Sequence, residues 1–214
     1  LDEFMQISGN FGADSARIEN ELQNEIMQEG SAAILDHLRL AGAIPEHYTH
    51  DSSEEKLYSK YTDILLAKVF SYIGLNSIVL SERADAADVE AVAADYSFVA
   101  DAKAFRLSRT AKNQKDFKVE AMHGWKRGKP FAIVVCPIYQ LPNRTSQIYQ
   151  QAISRTVCIL TYSHLAVLVC LVDTVSKSAA EGVLLNTLRA TETLNPDKNA
   201  EFYWQRINET MLQS

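Results

Sequence analysis

Apolar residues recur at helical spacing through the first third of the chain and then give way to short, strand-like runs. Ile18, Leu22 and Ile26 lie four apart, which predicts a helix over 14–29 with Gly30 as its stop. Residues 1–13 show no period and read as coil. A second helix is expected over 31–40, ended by Ala-Gly-Ala and Pro45. After a polar loop at 47–51, Ser53 is expected to cap a long helix to Ile73, with Leu57, Tyr61, Ile64, Leu65 and Val69 on its apolar side. Beyond Gly74 the period shortens. Residues 77–80, 89–92 and 97–103 read as strands, and 113–127 as a helix with Phe117, Ala121 and Trp125 in line. The run 131–136 is wholly apolar and ends at Pro137, the pattern of a central buried strand, and 157–160 repeats it. Helices are expected at 147–154, from a Ser163 cap to about 172, at 178–193 and at 199–212. Helices around strands, with a hairpin in the middle, predict an α/β fold with a mixed sheet.

Composition narrows the class. With 214 residues, 47% hydrophobic and 22% charged, the chain is of ordinary globular make-up, and 8 Gly and 5 Pro exclude a long low-complexity tract. Cys136, Cys158 and Cys170 sit in apolar runs without C-x-x-C spacing, which points to free thiols in a reducing cytoplasm. No signal peptide and no membrane span are expected, since the longest apolar run, 165–172, is too short.

The net charge of −6 argues against a polyanionic partner until it is divided by position. Residues 103–129 carry nine basic side chains against Asp116 and Glu120, a balance of +7, which leaves −13 for the remainder. A stretch of that kind is either a solvated helix face or a phosphate-backbone contact.

The candidate chemistry lies at the start of this stretch. In Val99-Ala-Asp101-Ala-Lys103 the two charged residues are two apart on a strand and share a face. Asp88 heads the preceding strand, and if the two strands pair as a hairpin it approaches Asp101 across the ladder. Two converging carboxylates beside a lysine suit a divalent cation such as Mg²⁺, with the lysine placed to stabilise charge on a phosphodiester. The triplet alone discriminates little. [DE]-x-Lys also occurs at 54–56 and 116–118, and ordinary surface ion pairs are the competing reading.

The block from Phe98 through Ala-Asp-Ala-Lys-Ala-Phe-Arg-Leu-Ser-Arg-Thr-Ala-Lys-Asn-Gln-Lys to Val119 closely resembles the HindIII type of restriction endonuclease. The resemblance also takes in residues 53–60, 63–68, Arg83 and Asp88, continues past Trp125 to 146–148 and 164–166, and so covers about 50–172. That family belongs to the PD-(D/E)xK nucleases, which implies a restriction-endonuclease-like core of mixed β-sheet flanked by helices, with additional N- and C-terminal helices. By resemblance Asp88 and Asp101 would hold the metal and Lys103 would be the catalytic lysine. Glu55 would supply the helix glutamate frequent in the family, although on its residues alone it reads equally as a helix-start carboxylate. The family's proline is Ala87 here.

The basic block would then make the DNA contacts. Asn113, Lys115 and Asp116 are of types that pair with adenine, guanine and cytosine edges. Arg106, Ser108, Arg109 and Thr110 suit phosphates, with Lys112 and Lys118 adding charge. The resemblance implies a type II enzyme acting on double-stranded DNA at the palindrome AAGCTT, leaving 5′-phosphate ends. A palindrome implies a homodimer. No small-molecule cofactor is expected. The same residues admit a catalytically inactive DNA-binding relative or a structure-directed repair or recombination nuclease. Within one compact unit, residues 1–50 are expected as an N-terminal helical segment, 51–175 as the nuclease core and 176–214 as a C-terminal helical segment.

Overall fold

In the computed structural model, which describes residues 6–80, 86–108, 114–194 and 199–214, three helices precede the main sheet. α1 (Phe11–Glu29) buries Ile18 and Leu22 and begins three residues earlier than its apolar period announces, because the Asn10 side chain accepts the Ala13 N–H at 3.1 Å. Gly30, at φ 63°, ends α1, and α2 (Ser31–Leu40) follows at once. The two-residue β1 (Ala43–Ile44) leads to α3 (Ser53–Ile73), whose cap is Ser52 rather than Ser53.

The strands β2 (Asn76–Val79), β3 (Val89–Val92), β4 (Ser97–Ala102), β6 (Phe131–Cys136) and β7 (Val157–Thr161) form one sheet in the order β2-β3-β4-β6-β7. β2, β3 and β4 are antiparallel neighbours, whereas β4, β6 and β7 run parallel. Every residue of β6 and β7 is buried, as expected of parallel strands covered on both faces. The architecture is a mixed α/β sheet flanked by helices.

α3 lies across this sheet, with its Phe70 ring edge-on to Phe98 of β4 at 4.9 Å between centroids. α6 (Gln147–Arg155) and α7 (Tyr162–Thr174) flank β7. α7 is capped by Thr161 and not by Ser163: the Thr161 hydroxyl receives the His164 N–H, and the His164 ring returns to the Thr161 N–H. α8 (Lys177–Ala190) and α9 (Ala200–Gln213) close the chain. One hydrophobic cluster runs from Ile18, Leu22 and Ile34 through the sheet to Leu184, Tyr203 and Ile207, so the terminal helices share the core of the sheet. None of the described helices is long and apolar enough to cross a membrane. Cys136 and Cys158 are buried, whereas Cys170, expected inside because of its apolar neighbours, is exposed on α7.

Two departures bear on function. The expected single helix over 113–127 is two, α4 (Gln114–Phe117) and α5 (Val119–Trp125), separated at Lys118 in the left-handed conformation, φ 48°. Also, β5 (Phe105–Arg106) pairs in parallel with β1, a contact that two-residue strands do not announce. Gly42 organises that pairing. Its carbonyl accepts the Phe105 N–H and the Tyr139 hydroxyl, each at 2.8 Å, and its φ is +84°.

A Cβ at Gly42 would stand 2.6 Å from the Tyr162 ring and 3.0 Å from Pro137. Gly42→Ala is therefore expected to cost about 2 kcal/mol through strain and overpacking, read as a lower urea midpoint at unchanged slope.

Candidate functional site

The antiparallel register of β3 and β4 sets the site. Val89 faces Ala100, so the next pair along the ladder is Asp88 and Asp101. The Leu80 N–H donates to the Asp88 carbonyl at 2.8 Å and fixes the entry to β3. Beyond the end of β4, the Lys103 N–H still reaches the Val135 carbonyl of β6 at 2.7 Å, and the Tyr162 hydroxyl donates to the Lys103 carbonyl at 2.9 Å. These bonds keep Lys103 in extended register, where strand alternation returns it to the face that Asp101 occupies. Its ammonium forms an ion pair with Asp101 Oδ2, and both side chains are buried.

A third carboxylate comes from α3. Asp63 lies on the helix that packs over β3 and β4, and oxygens of Asp63, Asp88 and Asp101 fall within 4.8 Å of one another. Asp63 stands directly before the buried Ile64-Leu65-Leu66, so the burial of α3 forces it inward. Sequence reasoning did not nominate it. Its signal was Lys56, Lys60 and Asp63 at i, i+4 and i+7, a polar stripe on an otherwise apolar helix.

The electrostatics follow from crowding. Burial first, then the charges of Asp88 and Asp101, push the Asp63 carboxyl well above its ordinary range. Burial, the hydrogen bond with Asp101 and its charge push Asp88 up to about 8. Asp101 is itself pushed up by burial, yet the Lys103 ammonium and the hydrogen bond from Asp88 hold it below the ordinary value. Asp88 is thus the protonated donor and Asp101 the carboxylate. The deeply buried Asp101 Oδ2 is taken up by the Lys103 ammonium.

This donor set fits a divalent cation. Carboxylate oxygens are the hard ligands that Mg²⁺ and Ca²⁺ take. Fully ionised, three carboxylates facing one ammonium would leave two negative charges unbalanced, an excess that a divalent cation would neutralise.

Glu55 is not part of this group. It lies eight residues before Asp63 on α3, about 12 Å along the axis. There its Oε2 accepts the Asp51 N–H at 2.6 Å and its Oε1 pairs with Arg106 at 3.3 Å. His50, Asp51 and Glu55 form a second cluster, but His50 pairs with the Asp51 carboxylate and Glu55 is taken by the Asp51 backbone N–H and Arg106.

The basic block is largely engaged. The Ser108 N–H and hydroxyl both donate to the Glu46 carboxylate at 2.8 Å, and Arg106 donates to the Glu46 carbonyl at 3.2 Å. Lys118 stands over the Trp125 ring at 5.5 Å. Lys126 donates to the Arg155 and Pro130 carbonyls, and Lys129 pairs with Glu90. Lys115 and Asp116 lie on α4. Arg109, Thr110, Lys112 and Asn113 fall outside the described residues.

Two comparisons with known proteins bear on this arrangement. The sequence profile of the HindIII restriction endonuclease family matches residues 1–214, the whole chain. The type II restriction enzyme HindIII of Haemophilus influenzae is 42% identical over 151 residues, which cover 70% of this chain and 50% of that protein. The chain therefore spans about half the length of the curated relative it matches.

Crowding of the carboxylates predicts a stability effect with a definite sign. Between the ordinary carboxylate value of 3.8 and about 8, the folded chain keeps a proton on Asp88 that the unfolded chain has released. The fold therefore loses stability as pH rises through that window. Asp88→Asn is expected to raise the stability of the metal-free protein at pH 8 by roughly 1–3 kcal/mol. It should also abolish any rise in melting temperature that a divalent cation produces in the unsubstituted chain; a melting temperature equal to that chain's at pH 8 would refute the crowding.

Proposed function

The chain belongs to the HindIII restriction endonuclease family, and from that membership and the carboxylate site we propose that it is a magnesium-dependent type II site-specific deoxyribonuclease. Its substrate is double-stranded DNA, its target the palindrome AAGCTT, and its working form a homodimer in which each copy cuts one strand. The observation that carries this reading is the convergence of Asp63, Asp88 and Asp101 with Lys103 at the end of the central strand β4.

In this reading Asp88 and Asp101 hold the metal, and Asp63 joins them in place of Glu55. Magnesium bound there would supply Lewis acidity at a phosphodiester oxygen and lower the pKa of a water. Lys103, kept in register by Val135 and Tyr162, presents a buried ammonium beside Asp101. Placed there it stabilises negative charge as the phosphorus gains its fifth oxygen. Asp88 would hold the cation as a carboxylate, its proton passing to solvent, because a neutral carboxyl is a poor ligand.

Residues 106–118 would meet the DNA, with Asn113, Lys115 and Asp116 reading base edges and Arg109, Thr110 and Lys112 touching the backbone. Arg106 and Ser108 would receive phosphates by exchange, because Glu46 and Glu55 already occupy their donors. The proposed compartment is the cytoplasm, where DNA is accessible and the three thiols stay reduced.

Two plasmids that differ only in a single AAGCTT site test the reading. With Mg²⁺, the plasmid carrying the site should be linearised and its twin left intact. Equal cutting of both would favour a structure-directed nuclease, and binding without cutting an inactive relative. Asp101→Asn should slow cleavage at least ~100-fold while leaving duplex binding in place.

A further inference from the structure

Four cations of the basic segment already have partners. From 103 to 129, Lys103 is held by Asp101, Arg106 by Glu55, Lys126 by two carbonyls and Lys129 by Glu90. These four are spent, whereas Lys118, over the Trp125 ring, acts electrostatically on Asp88 and Asp101. On α3, Lys56 and Lys60 are likewise not within ion-pair distance of a carboxylate among the described residues.

Two hollows in the surface meet at this helix. One, of about 510 Å³, is lined by Ser53, Lys56, Ser59, Lys60, Asp63 and Asp88, and so opens onto the carboxylate site. The other, of about 790 Å³, shares Lys56 and Ser59 and continues to Ala104, Arg106 and Lys118. Together they make a continuous trough from the reacting centre to the root of the 106–118 segment, with α3 as its wall. Along that wall Lys56, Lys60 and Asp63 fall at i, i+4 and i+7, so one helix face carries two ammonium groups toward the carboxylates. Lys60 is one turn from Asp63 and acts on its carboxyl electrostatically. Lys56 is a further ~6 Å along the axis, comparable to the step between neighbouring phosphates of one strand.

We propose that Lys56 and Lys60 form a phosphate-binding track on α3, which holds the backbone of the strand being cut beside its scissile linkage. This rests on the DNA-cleaving reading above. Lys60 takes the phosphate next to the reacting one and Lys56 the following one, with Ser59 able to donate between them. The contacts are to backbone only, so they set the position of the strand and carry no sequence information.

The test is duplex binding by the 214-residue chain in Ca²⁺, followed over a range of salt, with one 20-base-pair duplex containing AAGCTT and one lacking it. Lys56→Met and Lys60→Met keep good helix formers on an accessible face, and equal melting temperatures verify the fold. Each should lower the slope of log affinity against log salt by about one and weaken both duplexes by the same factor, roughly 3- to 10-fold. Lys60→Arg should restore the slope. With a single neutral methylphosphonate placed beside the scissile linkage, the unsubstituted chain should lose what Lys60→Met loses, and Lys60→Met should lose nothing more. An unchanged slope, or a loss confined to the AAGCTT duplex, would overturn the track while leaving the nuclease reading intact. If the unsubstituted chain binds neither duplex, the nuclease reading fails and the track with it.

Discussion

Three carboxylates held within 4.8 Å of one another beside a single ammonium are the constraint around which this molecule is arranged. Charges of like sign at that separation in a partly dry setting repel strongly, and no local preference of the chain would bring them together. Tertiary structure does so. The fully buried β6 anchors β4, the hairpin carries Asp88 to Asp101, and the apolar face of α3 drives Asp63 down from above. Protonation of Asp88 and the Asp101–Lys103 pair relieve the repulsion. A hard divalent cation would relieve it more completely, so the same crowding that strains the fold makes the site receptive.

The charge distribution takes on a different meaning once partners are known. Divided along the chain it suggests one basic block facing DNA and an acidic remainder facing away. In three dimensions acid and base are interleaved: Glu46 holds Ser108, Glu55 holds Arg106 and Glu90 holds Lys129. The carboxylates at Ser108 and Arg106 sit where a phosphate would bond, with the same sign of charge and the same acceptor chemistry. A phosphate arriving there would find these donors already bonded to carboxylates.

How much of this could be read beforehand depends on the kind of order involved. Alternation of side chains placed Asp101 with Lys103, and a hairpin set Asp88 opposite them, because period-two order is local and survives any error of a residue at the strand ends. The sheet's parallel centre was equally plain in the unbroken apolar runs of β6 and β7. Asp63 was hidden because helical order permits many residues on one face, and only the packing of α3 decides which turn meets the strands. Family resemblance pointed to Glu55, on the right helix but about two turns away. The break at Lys118 carries no glycine or proline to announce it, and the β1–β5 pair is too short to have a period. Fold class and two of the three carboxylates were thus open to reading, while everything that depended on one helix turn rather than another was not.

The small β1–β5 ladder has a mechanical consequence. Phe105 begins the chain's exit from the carboxylate site toward the basic segment, and Gly42 stands shortly before the entry to α3. The Gly42 carbonyl ties the two together, and Tyr139 fastens the knot from below. The root of the segment that would read bases and the approach to the helix that would grip the backbone therefore turn about one shared pivot. Two residues of strand thus tie the segment that would read bases to the approach of the helix that would hold the backbone.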